Sequence, residues 1–224
     1  MEHISTLRGA AGYIVPLEEI RPYGGLPGQE LIRQIAGRYE FAVLPNLAAF
    51  GSPDGPKGIE FQLGRYQIDG QQINVQRLSI FTDGVVADCL DTRHAAAVIG
   101  DLMVWAKEAF SLRDPATPPY WWYASQIVVK FNKSIDSQLA LCGRFGEKLS
   151  TVFSDLYGIT GPYSTSRFVM AIDPTNMPVA RRHTEFSIER RIDRPFSENR
   201  YFSSAALHTD LHLEMLAEIE NSLT

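Results

Sequence analysis

Cysteine is scarce in this chain: only Cys89 and Cys142 occur in 224 residues. Neither lies in a CxxC pair or in a Cys/His cluster at zinc spacing, which excludes a disulfide framework and the zinc modules that such spacing marks. No window approaches the ~18 consecutive apolar residues of a membrane helix. The opening Met1-Glu2-His3-Ile4-Ser5-Thr6 lacks the basic-then-apolar pattern of a secretory signal. A reduced, cytoplasmic protein with no membrane partner is expected. Positive charge is also short, with 21 Lys and Arg against 26 Asp and Glu and a formal net charge of −5. General phosphate-backbone binding rests on a basic surface, so nucleic acid is not expected as a partner. The chain contains no Gly-x-Ser-x-Gly elbow and no Gly-x-Gly-x-x-Gly fingerprint, and the stretch from Gly51 to Gly58 fails as a phosphate loop because Pro53 and Pro56 interrupt it. No cofactor is implied, and no tract repeats on inspection.

What is present describes an ordinary globular chain, 45% hydrophobic and 21% charged, long enough for one domain with elaborated loops. Residues 1–56 carry dense Pro and Gly punctuation and read as an irregular arm or loop layer, with one short helix from Gly28 to Tyr39 and a brief strand from Glu40 to Leu44. Residues 57–224 read as the core domain. Two β runs meet at Asp69-Gly70, the dipeptide of a type I′ hairpin turn, which sets Tyr66 opposite Ile73, Phe61 opposite Leu78 and Ile59 opposite Ile80. With regular alternation those pairs fall on different faces, so the hairpin is expected to be covered on both. A strand from Val85 to Leu90 completes a meander. Asp91 or Thr92 then caps a helix whose stripe runs through Ala95, Val98, Ile99, Leu102 and Ala106. A strand follows from Tyr120 to Phe131. Ser134 caps a helix with a packing seam through Gly146, Leu149 and Phe153, and after it come a hairpin of Arg167–Ile172 with Arg182–Ile192 and a last helix from about Ser204 to Ser222, capped by Ser203 or Ser204. The expected fold is α+β, a single domain with a mixed, mostly antiparallel sheet and helices packed on it.

Four constellations could carry chemistry. Cys89, Asp91 and His94 sit at a strand-to-helix junction, where helix-terminal amides and an imidazole favour a thiolate. His208 and His212 lie four apart on the last helix, a spacing that lets both rings reach one divalent ion, although no complete metal site can be specified. Residues 181–200 hold six arginines, Arg182, Arg190 and Arg191 among them, which could grip an anion or pair with the acidic last helix. Finally, alternation through Tyr120-Trp121-Trp122-Tyr123 sends Trp121 and Tyr123 to one face and Tyr120 and Trp122 to the other, so that one pair is core and the other, taken as Tyr120 and Trp122, is available for an interface.

The reading that absorbs most of this is a non-enzymatic interaction or structural subunit of a larger intracellular assembly, with a protein partner or a second copy. The alternatives are an enzyme with a pocket near Cys89 and His94 acting on an anionic substrate, and a nucleic-acid-binding accessory protein.

Overall fold

The computed structural model describes residues 1–24, 28–45, 58–68, 70–135, 140–158, 160–173, 175 and 185–223, with backbone alone over 140–144. Its elements are β1 (Glu2–Ile14), α1 (Leu17–Ile20), α2 (Gly28–Arg38), β2 (Gly58–Ile68), β3 (Gln71–Phe81), β4 (Gly84–Cys89), α3 (Thr92–Phe110), β5 (Tyr120–Lys130), α4 (Ala140–Tyr157), β6 (Arg167–Met170), β7 (Phe186–Arg190), β8 (Arg200–Ala205) and α5 (Thr209–Ser222). The class is α+β as expected, with an antiparallel sheet in the order β2-β3-β4-β1-β5-β8-β7-β6.

One sequence expectation fails at the level of organisation. Residues 1–56 are not an irregular arm, because residues 2–14 form β1, which is in register with β4 from Gly9↔Cys89 to Ile14↔Gly84. The chain also runs twice through one order of elements: β1, α2, the meander β2–β4 and α3, then β5, α4, the strands β6–β8 and α5. Contacts divide the chain into two compact units, one of residues 8–125 with 207–209, the other of residues 1–7, 126–206 and 210–224.

In the first unit, Asp91 caps α3 by accepting a hydrogen bond of 2.8 Å from the Arg93 N–H, which satisfies one of the unpaired donors of the helix start. The α3 stripe of Ala95, Val98, Ile99 and Leu102 then packs on Ala11, Leu78, Ile80, Val85, Ala87 and Cys89. The β2–β3 register is the expected one, Tyr66↔Ile73, Phe61↔Leu78 and Ile59↔Ile80. The expected two-faced burial is not. Leu63 adopts φ of 59°, a left-handed conformation that breaks the alternation. Burial therefore steps from Phe61 to Gly64, and Phe61, Leu78, Ile73 and Val75 all enter one cluster. Gly64 is required there, since a Cβ would overlap the Phe41 ring.

In the second unit, Ile127 and Val129 of β5 and Phe131 just after it pack with Ile188, Tyr201, Leu216 and Leu223. Ser203 and Ser204, read from sequence as helix caps, lie instead in β8, and α5 begins at Thr209. The reason is a buried polar contact: Ser203 Oγ donates to the Ser187 carbonyl at 2.7 Å across the β7–β8 pair. The seam of α4 is buried only in part, with Gly146 against the Tyr163 carbonyl and Leu156 largely exposed.

Candidate functional site

The first unit has one sheet face under α2 and α3 and another that those helices leave uncovered. Ala11, Ala87 and Cys89 point to the helix side, so by strand alternation Arg8, Ala10, Gly12, Arg77 and Asp88 point away from it. Registers Ala10↔Asp88 and Arg77↔Asp88 place these side chains in neighbouring rows. The Asp88 carboxylate is nearly buried, and each of its oxygens holds one guanidinium in a fork. Oδ1 accepts from Arg8 Nε at 2.9 Å and NH2 at 2.7 Å, and Oδ2 accepts from Arg77 Nε at 2.8 Å, with Arg77 NH2 at 2.6 Å. Arg77 also approaches Glu60 at 3.6 Å. Two charge-assisted forks on one carboxylate fix both arginines, yet the Arg8 and Arg77 side chains remain 32% and 43% exposed. Trp122 lies on this same face, where a Cβ at position 12 would overlap its indole, so Gly12 lets the ring approach the sheet. Tyr123, its neighbour, packs instead against the helix-side core.

Arg8 and Arg77 did not stand out in the sequence; the signal was Asp88 inside the otherwise apolar β4 and Arg8 just before the small run Gly9-Ala10-Ala11-Gly12. A second polar cluster joins α2 to α3 in this unit. Arg38 donates to Asp101 at 2.9 and 2.6 Å and the Tyr39 hydroxyl donates to it at 2.7 Å, beside a hollow of about 410 Å³ lined by Arg38, Arg65, Tyr66 and Gln72 among others. Burial first, and then the Asp101 charge, push the Tyr39 hydroxyl up, which keeps it a donor.

The Cys89 constellation does not assemble a nucleophile. Cys89 is fully buried in the helix-side core, and burial first, then the charges of Asp88 and Asp91, push its thiol up to about 12. A thiol that keeps its proton is a core residue rather than an attacking group. Burial works against the Asp91 carboxylate, but hydrogen bonds from the Arg93 side chain and backbone hold it below the usual range, so its role is the α3 cap. His94 sits half-buried in the first turn of α3.

The two histidines have separate surroundings. His208 is exposed and lies on the Tyr123 ring with centroids 3.6 Å apart. His212 is fully buried in the second unit, with Nε2 2.8 Å from Ser203 Oγ and its ring edge-on to Phe186. The Ser203 proton already goes to the Ser187 carbonyl, so His212 Nε2–H is the donor in that pair, and Ser203 is not activated. Burial pushes the His212 imidazole down to about 4. Among the described residues, no three His, Cys, Asp or Glu side chains come together to hold a metal ion.

Arg190 is likewise internal, at 2% exposure. Its guanidinium donates to the Thr165 carbonyl at 3.1 Å, the Phe196 carbonyl at 2.9 Å and Ser134 Oγ at 3.0 Å, between the rings of Phe196 and Tyr201. It is a structural clamp, not the expected anion site. Arg191 donates to Asp193 at 2.8 and 2.7 Å, and Arg182 lies outside the described residues. Glu220 of the acidic last helix meets the N-terminal ammonium of Met1 and the Asn132 N–H.

No described helix is long and apolar enough to cross a membrane. No family model matches this chain, and no curated protein matches it. Among solved structures it is similar to a TBP of Methanococcus jannaschii, at 12% identity and a TM-score of 0.42, over 99% of this chain and 98% of that one. The expectation set against nucleic acid is withdrawn: it rested on a whole-chain charge of −5, which describes no single surface.

Proposed function

We propose that this chain is a non-enzymatic interaction subunit of an intracellular assembly, and that it engages its partner through the sheet face of the first unit opposite α2 and α3. The observation that carries this reading is the Asp88 clamp, which holds Arg8 and Arg77 in fixed orientation on the same face as Trp122. Arginine and tryptophan dominate the energetic centres of interfaces, and side chains already ordered before binding lose less entropy on association. The groups that an enzymatic reading would use are committed elsewhere: Cys89 keeps its proton in the core, His212 donates to Ser203, and Asp91 caps α3. A reducing compartment suits Cys89, a buried free thiol.

Substitution of the face tests the reading. Trp122→Ala and Arg77→Ala are each expected to weaken binding of a partner isolated with the wild-type chain by about tenfold or more, while both variants keep a cooperative thermal transition. Loss of that transition in Trp122→Ala would place the indole in the core. Partner affinity unchanged in both variants would remove this face from recognition.

A further inference from the structure

Helix α4 turns an apolar row to solvent beside the row that holds it in place. Gly146 lies against the Tyr163 carbonyl, Ser150 Oγ accepts from the Tyr163 N–H at 2.9 Å, and the Phe153 and Tyr163 rings meet at 5.1 Å. These three residues fix which face of the helix points inward. The next row, Phe145, Leu149, Val152 and Leu156, advances by four, three and four residues, the a and d spacing of a coiled coil. At 3.6 residues per turn the four side chains fall in a stripe about 60° wide. Phe145 is 63% exposed, Val152 47% and Leu156 67%. Among the described residues, none of the four joins the core cluster of the second unit.

The charges beside this row select its occupant. Lys148 and Asp155 are exposed and seven residues apart, so they share the flank of the row away from Tyr163. About 10 Å of helix separates them, which keeps them from pairing with each other, and among the described residues neither forms an ion pair. An antiparallel second copy of α4, related by a two-fold axis level with the midpoint of Leu149 and Val152, sets Leu149 against Val152 of the other chain and Phe145 against its Leu156. The axis keeps both charged flanks on one side. Lys148 then comes opposite Asp155 of the second copy, and Asp155 opposite its Lys148. One register therefore matches the whole apolar row and both charges at once. A parallel pair would set Lys148 beside Phe153 of its mate and match neither charge.

We infer that the outward row of α4 is a self-association surface, occupied by α4 of a second copy of this chain lying antiparallel across it. A row about 16 Å long makes an interface at the small end of the specific range, below about 1,200 Å². The dimer is therefore weak, forming at roughly 10 µM and above. It uses none of Arg8, Arg77 and Trp122, so it stands apart from the proposed recognition face and does not depend on it.

The experiment is sedimentation equilibrium of the intact chain from roughly 1 µM to 1 mM. A monomer–dimer equilibrium is expected, weakened at least about tenfold by Leu156→Asp. Lys148→Glu and Asp155→Lys are each expected to weaken it about threefold to tenfold, since the two-fold axis turns each single substitution into two like-charge pairs. Combined in one chain, the two substitutions restore both pairs and return the dissociation constant to within about twofold of the wild type. Trp122→Ala leaves the equilibrium unchanged, which separates this surface from the proposed function. Should Leu156→Asp lose its fold, the charge series decides alone, because Lys148 and Asp155 are exposed. A monomer at every concentration overturns the inference. So does a dimer indifferent to Leu156→Asp, or a doubly substituted chain that associates no more tightly than either single variant. Self-association lost in Trp122→Ala and kept in Leu156→Asp would place the dimer contact on the first unit and overturn it as well.

Discussion

Between pH 7 and pH 5 the native chain is expected to lose about 2 kcal/mol of stability through His212 alone, at roughly 1.4 kcal/mol per pH unit below the ordinary imidazole pKa of about 6.5. The imidazole is fully buried against Phe186 with its Nε2–H spent on Ser203, and burial holds it down to about 4. The folded pKa thus lies below the unfolded one. Above pH 6.5 both states are neutral at this site and stability is complete. Below that the unfolded chain takes up a proton and the native chain does not, so stability falls as pH drops, by about 3 kcal/mol in all, and levels off below pH 4. Urea unfolding at pH 7 and pH 5 measures the effect, with His212→Gln as reference because its amide can still donate to Ser203 and does not titrate. The wild type should lose about 2 kcal/mol more than the variant between those pH values. Parallel losses would mean that His212 is charged in the native state.

That histidine also shows why sequence carried the fold further than the site. Periodicity survives when a residue's partners are near in the chain. The α3 stripe with its Asp91 cap and the β2–β3 register were legible for that reason. The β1 strand was not, because its central residues are small for reasons that lie far away: a Cβ at Gly9 would overlap the Asp91 and Thr92 backbone, and one at Gly12 would overlap Trp122. A strand stripped of bulk by its neighbours has no hydrophobic alternation to display. The β8 strand was lost to the opposite cause, since Ser203 looks like a cap until Ser187 and His212 are placed around it. One left-handed residue, Leu63, moved half a hairpin from one face to the other while the pairs on either side of it, Gln62↔Arg77 and Gly64↔Val75, kept one register. The Trp121–Trp122 alternation was readable in outline. Its consequence, a braced ring pair on one face and an indole beside an arginine clamp on the other, required Tyr13, His208 and Gly12 from distant parts of the chain.

Arg190→Met should lower the unfolding free energy by on the order of 3 kcal/mol, against almost nothing for Arg191→Ala one residue further along. The difference is one of surroundings, since the two side chains carry the same charge. Arg190 supplies donors to the Thr165 and Phe196 carbonyls and to Ser134 Oγ from a site that is 2% exposed, and it is stacked between Phe196 and Tyr201. Methionine fills much of the same volume and leaves those acceptors without it, which makes the lost hydrogen bonds rather than a cavity the source of the cost. Lysine does not restore them, because one ammonium cannot present a planar fork in three directions. Arg191 spends its guanidinium on Asp193 at the surface, where such pairs contribute little. Thermal unfolding with and without inorganic phosphate distinguishes this from the anion-site expectation. A clamp gives a large midpoint loss in Arg190→Met and no phosphate-dependent stabilisation traceable to Arg190. An unchanged midpoint in Arg190→Met, together with a phosphate stabilisation that the variant abolishes, would return Arg190 to ligand binding.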